Sequence, residues 1–396
     1  MKNQCGGPLV LRFFDLEVSL SSSDPSILRP FQILYSAFHS GPSDKPASQF
    51  MRVEFQEGES DPRDSCLTID GTRWPVSEAM CRSGALYEFL LKCIYERSRS
   101  HILIHSSALS LNGAGVLLVG DSGFGKSTLA LSLANRGAGF FSDEVGAIHR
   151  GTGRLEAFPR RMRVRDESLV LAGLKLNETP LEAWYGKRLL NVEDIRQGII
   201  ASPCPISAVV FLTDYRELNG GLARRDSSVI EFLLDRCDAE LMDFVSRLRT
   251  VEAVDRDDSS GFSTLSLRGE SVGNAAAELE AYCRDRRICV LDAASPVRIK
   301  PDFSAEPTLI SIDAKHAYGR LLQQFLPGRG SCILREEYEG KSTRLLLEMM
   351  SLFKGVSFFD LVVGDMRRMV ELVESVASFA GGRTKRRDSK MDSSLS

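Results

Sequence analysis

The chain has 396 residues, enough for two or three domains around a substantial core. Its 50 Lys and Arg against 53 Asp and Glu leave a formal net charge of -3, which excludes bulk attraction to nucleic acid or acidic lipid. No apolar run approaches the ~18 residues of a membrane helix. The first residues, MKNQCGGPLVLRFFDLEV, meet Arg12 and Asp15 before any apolar stretch of signal-peptide length, so a cytoplasmic location is expected. The 9 cysteines include no C-x-x-C pair and read as free thiols of a reducing compartment. With 5 dispersed histidines, a structural zinc site is not expected.

Residues 1–83 read as a β-rich domain. Phe14, Leu16, Val18 and Leu20 alternate with polar residues, as do Met51, Val53 and Phe55, and Asp70-Gly71 marks a hairpin. A core is expected over 84–300. It opens with a helix at 84–98 and a hairpin turning at Asn112-Gly113. KSTLALSLANRG then forms a helix that Gly137 stops. A short strand, GAGFFSDEV, follows, and VGAIH and RLEAF flank a turn. ISAVVFLTD (206–214) reads as a buried strand, SVIEFLLDRCDAELMDFVSRLRT as helical in period, and RRICVLD as a strand. Residues 301–380 read as helices near 314–326, 341–353 and 366–379 with a strand at VSFFDLVVG. The tail, 381–396, is polar, basic and serine-rich, and disorder is expected there.

The stretch GDSGFGKST carries the chemistry. Gly120, Gly125, Lys126 and Ser127 fit G-x-x-x-x-G-K-S/T, between an apolar strand and a helix. The glycines let successive N–H groups of Gly120, Asp121, Ser122, Gly123, Phe124, Gly125, Lys126, Ser127 and Thr128 turn toward an anion, and the helix N-terminus adds its positive end. In such a cradle Lys126 neutralises the β- and γ-phosphates of ATP and the Ser127 hydroxyl ligates Mg²⁺. Phe124 reads as packing.

Two neighbours narrow the chemistry. A two-residue turn at Asn112-Gly113 sets His105 opposite Gly120 and a three-residue turn sets it opposite Asp121, and either register puts it at the cradle's mouth. A strand at FFSDEV, joined to the cradle's strand by a right-handed crossover, brings Asp143 and Glu144 to the edge where the phosphates lie. Carboxylates there suit metal ordering, with Asp143 as a candidate ligand, and proton acceptance from an attacking hydroxyl. Asp214, ending ISAVVFLTD, is a rival acid, and a common type of cap.

His105 in ILIHSSAL, GDSGFGKST and Asp143-Glu144 in FFSDEV together resemble the HPr kinase family in order and approximate spacing. The resemblance implies an α/β fold with a P-loop core of the HPr-kinase and PEP-carboxykinase type, flanked by the β-rich N-terminal domain and the C-terminal α/β segment. It implies an ATP- and Mg²⁺-dependent kinase acting on a hydroxyl-bearing acceptor, either the serine of a peptide or protein or a small molecule. Kinases of this family commonly assemble, so a homo-oligomer is possible and the oligomeric state stays open, while charge and hydropathy give no expectation of nucleic acid or membrane as partner. His105, Lys126, Asp143 and Glu144 would be its catalytic residues. The family usually has an Asp where this chain has Glu144, so the base stays open between the two acids. Its I-E-I-R-G-like segment has no counterpart at RMRVRDE (161–167). Among the arginines after the acids, Arg160 and Arg163 are pocket candidates, and a solvated strand face is the alternative. A nucleotide-binding regulatory or assembly protein without group transfer is the alternative function. Phosphorolysis on the same core is a third.

Overall fold

A computed structural model describes residues 7–38, 47–56, 65–76, 80, 85–174, 182–184, 187–218, 228–258, 262–270, 272–296, 300–326 and 342–376. The expected C-terminal tail at 381–396 lies outside them. The chain gathers into two compact units: 1–100 with 224–298 and 326–342, and 101–223 with 299–325 and 343–396. The segment 224–298, read from sequence as part of the core, thus belongs with the N-terminal residues.

The first unit opens with β1 (Leu9–Phe13), β2 (Leu16–Ser22), helix α1 (Arg29–Leu34), β3 (Gln49–Gln56), β4 (Cys66–Ile69) and β5 (Thr72–Pro75). The strands form one sheet in chain order. β2 alternates buried and half-buried residues, as its period requires. Phe14 is not in the strand: it turns the β1–β2 hairpin at φ 58°. Asp70 and Gly71, at φ 48° and 81°, turn the β4–β5 hairpin. Helix α2 (Ala85–Arg97) follows.

The second unit is built on β6 (His101–Leu111), which is buried along nearly its whole length. It pairs antiparallel with β7 (Ala114–Val119), Ser106 facing Val119 and Leu111 facing Ala114. Asn112 and Gly113 both take positive φ, 53° and 80°, as a type I′ turn demands. α3 (Lys126–Asn135) then leads to β8 (Gly139–Ser142). β8 and β9 (Val145–His149) share the other edge of β6, β8 along its second half and β9 along its first. Because β6 is antiparallel to both β7 and β8, those two run parallel, with β6 between them. β10 (Arg154–Glu156) pairs with β9. β11 (Met162–Val164), α4 (Asp166–Leu171), β12 (Glu182–Trp184) and β13 (Lys187–Leu190) follow, the strands forming a small sheet in the order β11-β13-β12. β14 (Cys204–Thr213) lies parallel beside β7. α5 (Tyr215–Leu218) closes this stretch.

The chain returns to the first unit with β15 (Val229–Leu234), α6 (Ala239–Ser246), β16 (Ala253–Asp257), β17 (Ser263–Arg268), α7 (Val272–Asp285) and β18 (Val290–Ala294). This corrects the helical reading of SVIEFLLDRCDAELMDFVSRLRT. Val229–Leu234 pairs on both sides, with β17 and β18, and only the part after the Asp238 N-cap is helical. The second unit ends with β19 (Thr308–Ile312), α8 (Ala314–Leu322), α9 (Ser342–Leu352, whose first residue falls to the other unit), β20 (Ser357–Val362) and α10 (366–376). β20 extends the main sheet parallel to β14, with β19 antiparallel at its edge. α3 packs one face of that sheet through Leu129, Ala130 and Leu133, against Val116, Leu118 and Val210.

Candidate active site

The loop after Val119 is shaped by its glycines. A Cβ at Gly120 would lie 3.1 Å from Cβ of Leu212, so the loop hugs β14. Gly123 and Gly125 adopt φ of 86° and 83°, and Gly125 caps α3 in the left-handed region, facing the ring of Phe303. Phe124 is fully buried in the core, so only its backbone serves the loop. Lys126 begins the helix, buried, and its Nζ donates to the carbonyls of Gly120 at 2.6 Å and Asp121 at 3.2 Å. No side chain caps this helix and no acid sits in its first turn, so its positive end is answered by no carboxylate of that turn. Asp121 is buried, Ser122 and Gly123 are exposed, and Ser127 is half-buried. The Thr128 hydroxyl is spent on Ser168, 2.9 Å away.

Asp143 and Glu144 form the kink between β8 and β9, held by serines. Ser142 Oγ accepts the N–H groups of Glu144 (3.3 Å) and Val145 (3.0 Å). Ser107 Oγ, fully buried, donates to the Asp143 carbonyl at 2.8 Å. The Ser106 N–H donates to the Glu144 carbonyl at 3.2 Å. Ser106 faces Val119 across its other edge. Acid kink and cradle entrance therefore flank one strand, about 10 Å apart in backbone. His105, buried, is one residue further along and pairs with Val145, its N–H donating to the Gln324 carbonyl at 2.7 Å. Of the two registers open to His105, the two-residue turn's is observed: Ser106 faces Val119, which continued by one residue sets His105 opposite Gly120.

Arg160 completes the kink. Its guanidinium is 1% exposed, with Nε 3.6 Å from Asp143 Oδ1 and a terminal nitrogen paired with Glu144 Oε2. The Phe158 N–H donates to the Phe141 carbonyl at 2.9 Å, carrying this segment alongside β8. The two acids differ in access: the Asp143 side chain is 5% exposed and that of Glu144 33%. Asp143 Oδ1 is buried with no hydrogen-bond partner. Arg163 lies in β11, opposite Leu189 of β13.

Sequence reasoning missed Ser107 and Lys187. For Ser107 the signal was a polar pair inside an apolar strand. The Lys187 ammonium is pushed below its usual value by desolvation, then by Arg163, Arg165 and Arg160, with Asp143 pulling the other way. It therefore shares the electrostatic neighbourhood of the acid kink. Asp214, the rival acid, is buried and committed: Arg216 reaches it through Nε at 2.8 Å and through its backbone N–H at 2.9 Å. Among the described residues no group of three or more His, Cys, Asp or Glu is placed to hold a metal unaided. No described helix is long and apolar enough to cross a membrane.

Comparison with known proteins finds a match over the segment that holds these residues. Residues 97–174 match the HPr Serine kinase C-terminal domain family. That segment contains His105, the cradle, the acid kink and Arg160. It is HPr kinase-like. The HPr kinase/phosphorylase of Pelodictyon phaeoclathratiforme is 40% identical over 100 residues, 25% of this chain and 30% of the relative. That of Chlorobium phaeovibrioides is 32% identical over 98 residues, 25% and 28% of the two chains. The chain thus spans under a third of the length of these relatives. The solved structure of the HPr(Ser) kinase/phosphatase from Coxiella burnetii is 14% identical, covering 47% of this chain and 95% of that one, with a TM-score of 0.21.

Proposed function

We propose that this protein is an ATP-dependent phosphotransferase that passes the γ-phosphate to a hydroxyl. The observation that carries the reading is the pairing of an uncapped, glycine-shaped helix N-terminus with a buried acid kink one strand away. The cradle fits phosphate, because Gly123 and Gly125 hold left-handed torsions that bend its N–H groups inward. The acid kink fits a divalent cation, because Asp143 Oδ1 is buried with no hydrogen-bond partner.

Gly120–Thr128 would hold the triphosphate, with Lys126 exchanging its two loop carbonyls for phosphate oxygens. Ser127 and Asp143 would hold Mg²⁺, which when bound supplies neutralisation of charge on the phosphates. Glu144, the more exposed acid, would face the acceptor and take its proton. Arg160 would fix both carboxylates in direction. His105 would orient the acid kink from β6.

Purified protein mixed with γ-labelled ATP and candidate serine peptides is the direct test. Label appearing in a peptide supports transfer, and label released only to water refutes it. One observation favours the second reading, a nucleotide-binding regulator: Arg160 already pairs with both acids. If ATP binding altered partner affinity equally in wild type and Glu144→Gln, with no transfer in either, that reading would stand.

A further inference from the structure

β11 and β13 carry a row of cations whose placement is costly. Their register sets Val164 opposite Arg188, and continued by one residue it sets Arg165 opposite Lys187. Cross-strand partners lie on one face and successive residues alternate. Met162, Val164 and Leu190 pack into the core. Arg163, Arg165 and Lys187 occupy the other face by register, and Arg161 joins them by alternation. Like charges directly opposite each other destabilise a strand pair. Among the described residues, the neighbouring carboxylates Asp166, Asp143 and Glu144 are committed elsewhere. Asp166 goes to Arg188 at 3.0 Å, and Asp143 and Glu144 go to Arg160. Glu182 stands opposite Leu189, in the row of Arg163 and not in that of Arg165 and Lys187. Among the described residues, Arg161, Arg165 and Lys187 make no ion pair. Arg161 Nε is buried with no hydrogen-bond partner. Arg165 and Lys187 are exposed.

The row also lies beside the chemistry. Lys187 feels Asp143 as well as Arg160, and both belong to the acid kink. A surface that presents Arg161, Arg165 and Lys187 with no ion pair among the described residues, at the edge of a candidate transfer site, is complementary to a carboxylate-bearing acceptor.

We propose that the β11–β13 face docks the acceptor, and that it selects an acidic peptide segment whose hydroxyl is flanked by carboxylates. The Arg165–Lys187 pair would hold a carboxylate next to the acceptor residue, and Arg161 and Arg163 would extend the contact along the ribbon. The proposal rests on the phosphotransferase reading for the meaning of "acceptor", and its test does not need transfer to occur.

The test is fluorescence anisotropy on the full chain with three labelled peptides, a serine flanked by glutamates, by glutamines or by lysines. Wild type should bind the glutamate peptide, with affinity falling as salt rises. Arg165→Glu with Lys187→Glu should weaken that binding roughly tenfold or more and shift preference toward the lysine peptide. An unchanged circular-dichroism spectrum and urea midpoint would show that the variant folds. Arg165→Gln with Lys187→Gln should fall between. Equal binding of all three peptides, or no loss on charge reversal, overturns the proposal. Competition by inorganic phosphate or free glutamate as strong as by the glutamate peptide also overturns it, by making the site a small-anion site. Failure of label transfer with peptide selectivity intact would sink the kinase reading and leave this one standing.

Discussion

Arg160→Met should be among the most damaging single changes in the second unit. The Arg160 and Asp143 side chains are 1% and 5% exposed, with Nε 3.6 Å from Oδ1. At an effective dielectric constant of about 20 that separation corresponds to about 4–5 kcal/mol of attraction. Glu144 is 33% exposed, so its pairing adds about 1 kcal/mol or less. Removing one partner of a buried pair typically costs about 3–5 kcal/mol, because the other charge stays behind in a dry site. The expected loss is therefore about 4 kcal/mol, read by urea unfolding at pH 7. Part of it could be lost packing of the long side chain, so the decisive comparison uses a second background. In Asp143→Asn with Glu144→Gln, the same Arg160→Met change should cost about 1 kcal/mol or less. An equal loss in both backgrounds would show that Arg160 is a packing residue. A loss below about 1 kcal/mol in the native background would remove the buried ion pair from the account.

Gly125→Ala forces a side chain into φ 83° and sets its Cβ 3.1 Å from the Phe303 ring, so ATP affinity measured by calorimetry should fall roughly tenfold while overall folding persists. Ser107→Ala leaves the Asp143 carbonyl without its donor in a fully buried site, and urea unfolding should report a loss of about 1–2 kcal/mol. Asp235, with a fully buried side chain, is held by desolvation at about 6 rather than near 3.8, against the opposing pull of Arg236. Between those values the folded chain keeps a proton that the unfolded chain has released, so stability falls as pH rises through this window, by about 3 kcal/mol. Asp235→Asn should flatten that slope in unfolding titrations from pH 3.5 to 7, and an unchanged slope would contradict the assignment.

The parts legible in the sequence were those fixed by local backbone chemistry. Asn112-Gly113 admits a type I′ turn, so the register of β6 on β7, and with it the place of His105, followed from two residues. The cradle and α3 were marked by glycines at both ends. The strand Val229–Leu234 was misread because VIEFLL fits either period, and what decides it is pairing with β17 and β18, both distant in sequence. Arg160 and Arg163 were equivalent on paper. Only the path of the Phe158 segment along β8 brings one guanidinium, and not the other, between the two acids. Lys187 carried no local signal at all. It enters the site because β13 folds back onto β11.

The central claim is that cradle and acid kink act together to move phosphate onto a hydroxyl. The most direct measurement is single-turnover transfer of γ-label from ATP to a glutamate-flanked serine peptide, comparing wild type, Lys126→Met and Asp143→Asn with Glu144→Gln. Label should enter the peptide with wild type and fall roughly a hundredfold or more with each variant, while the acid variant still binds ATP. Label found only in free phosphate with wild type, or transfer undiminished when both acids are neutralised, would contradict the account.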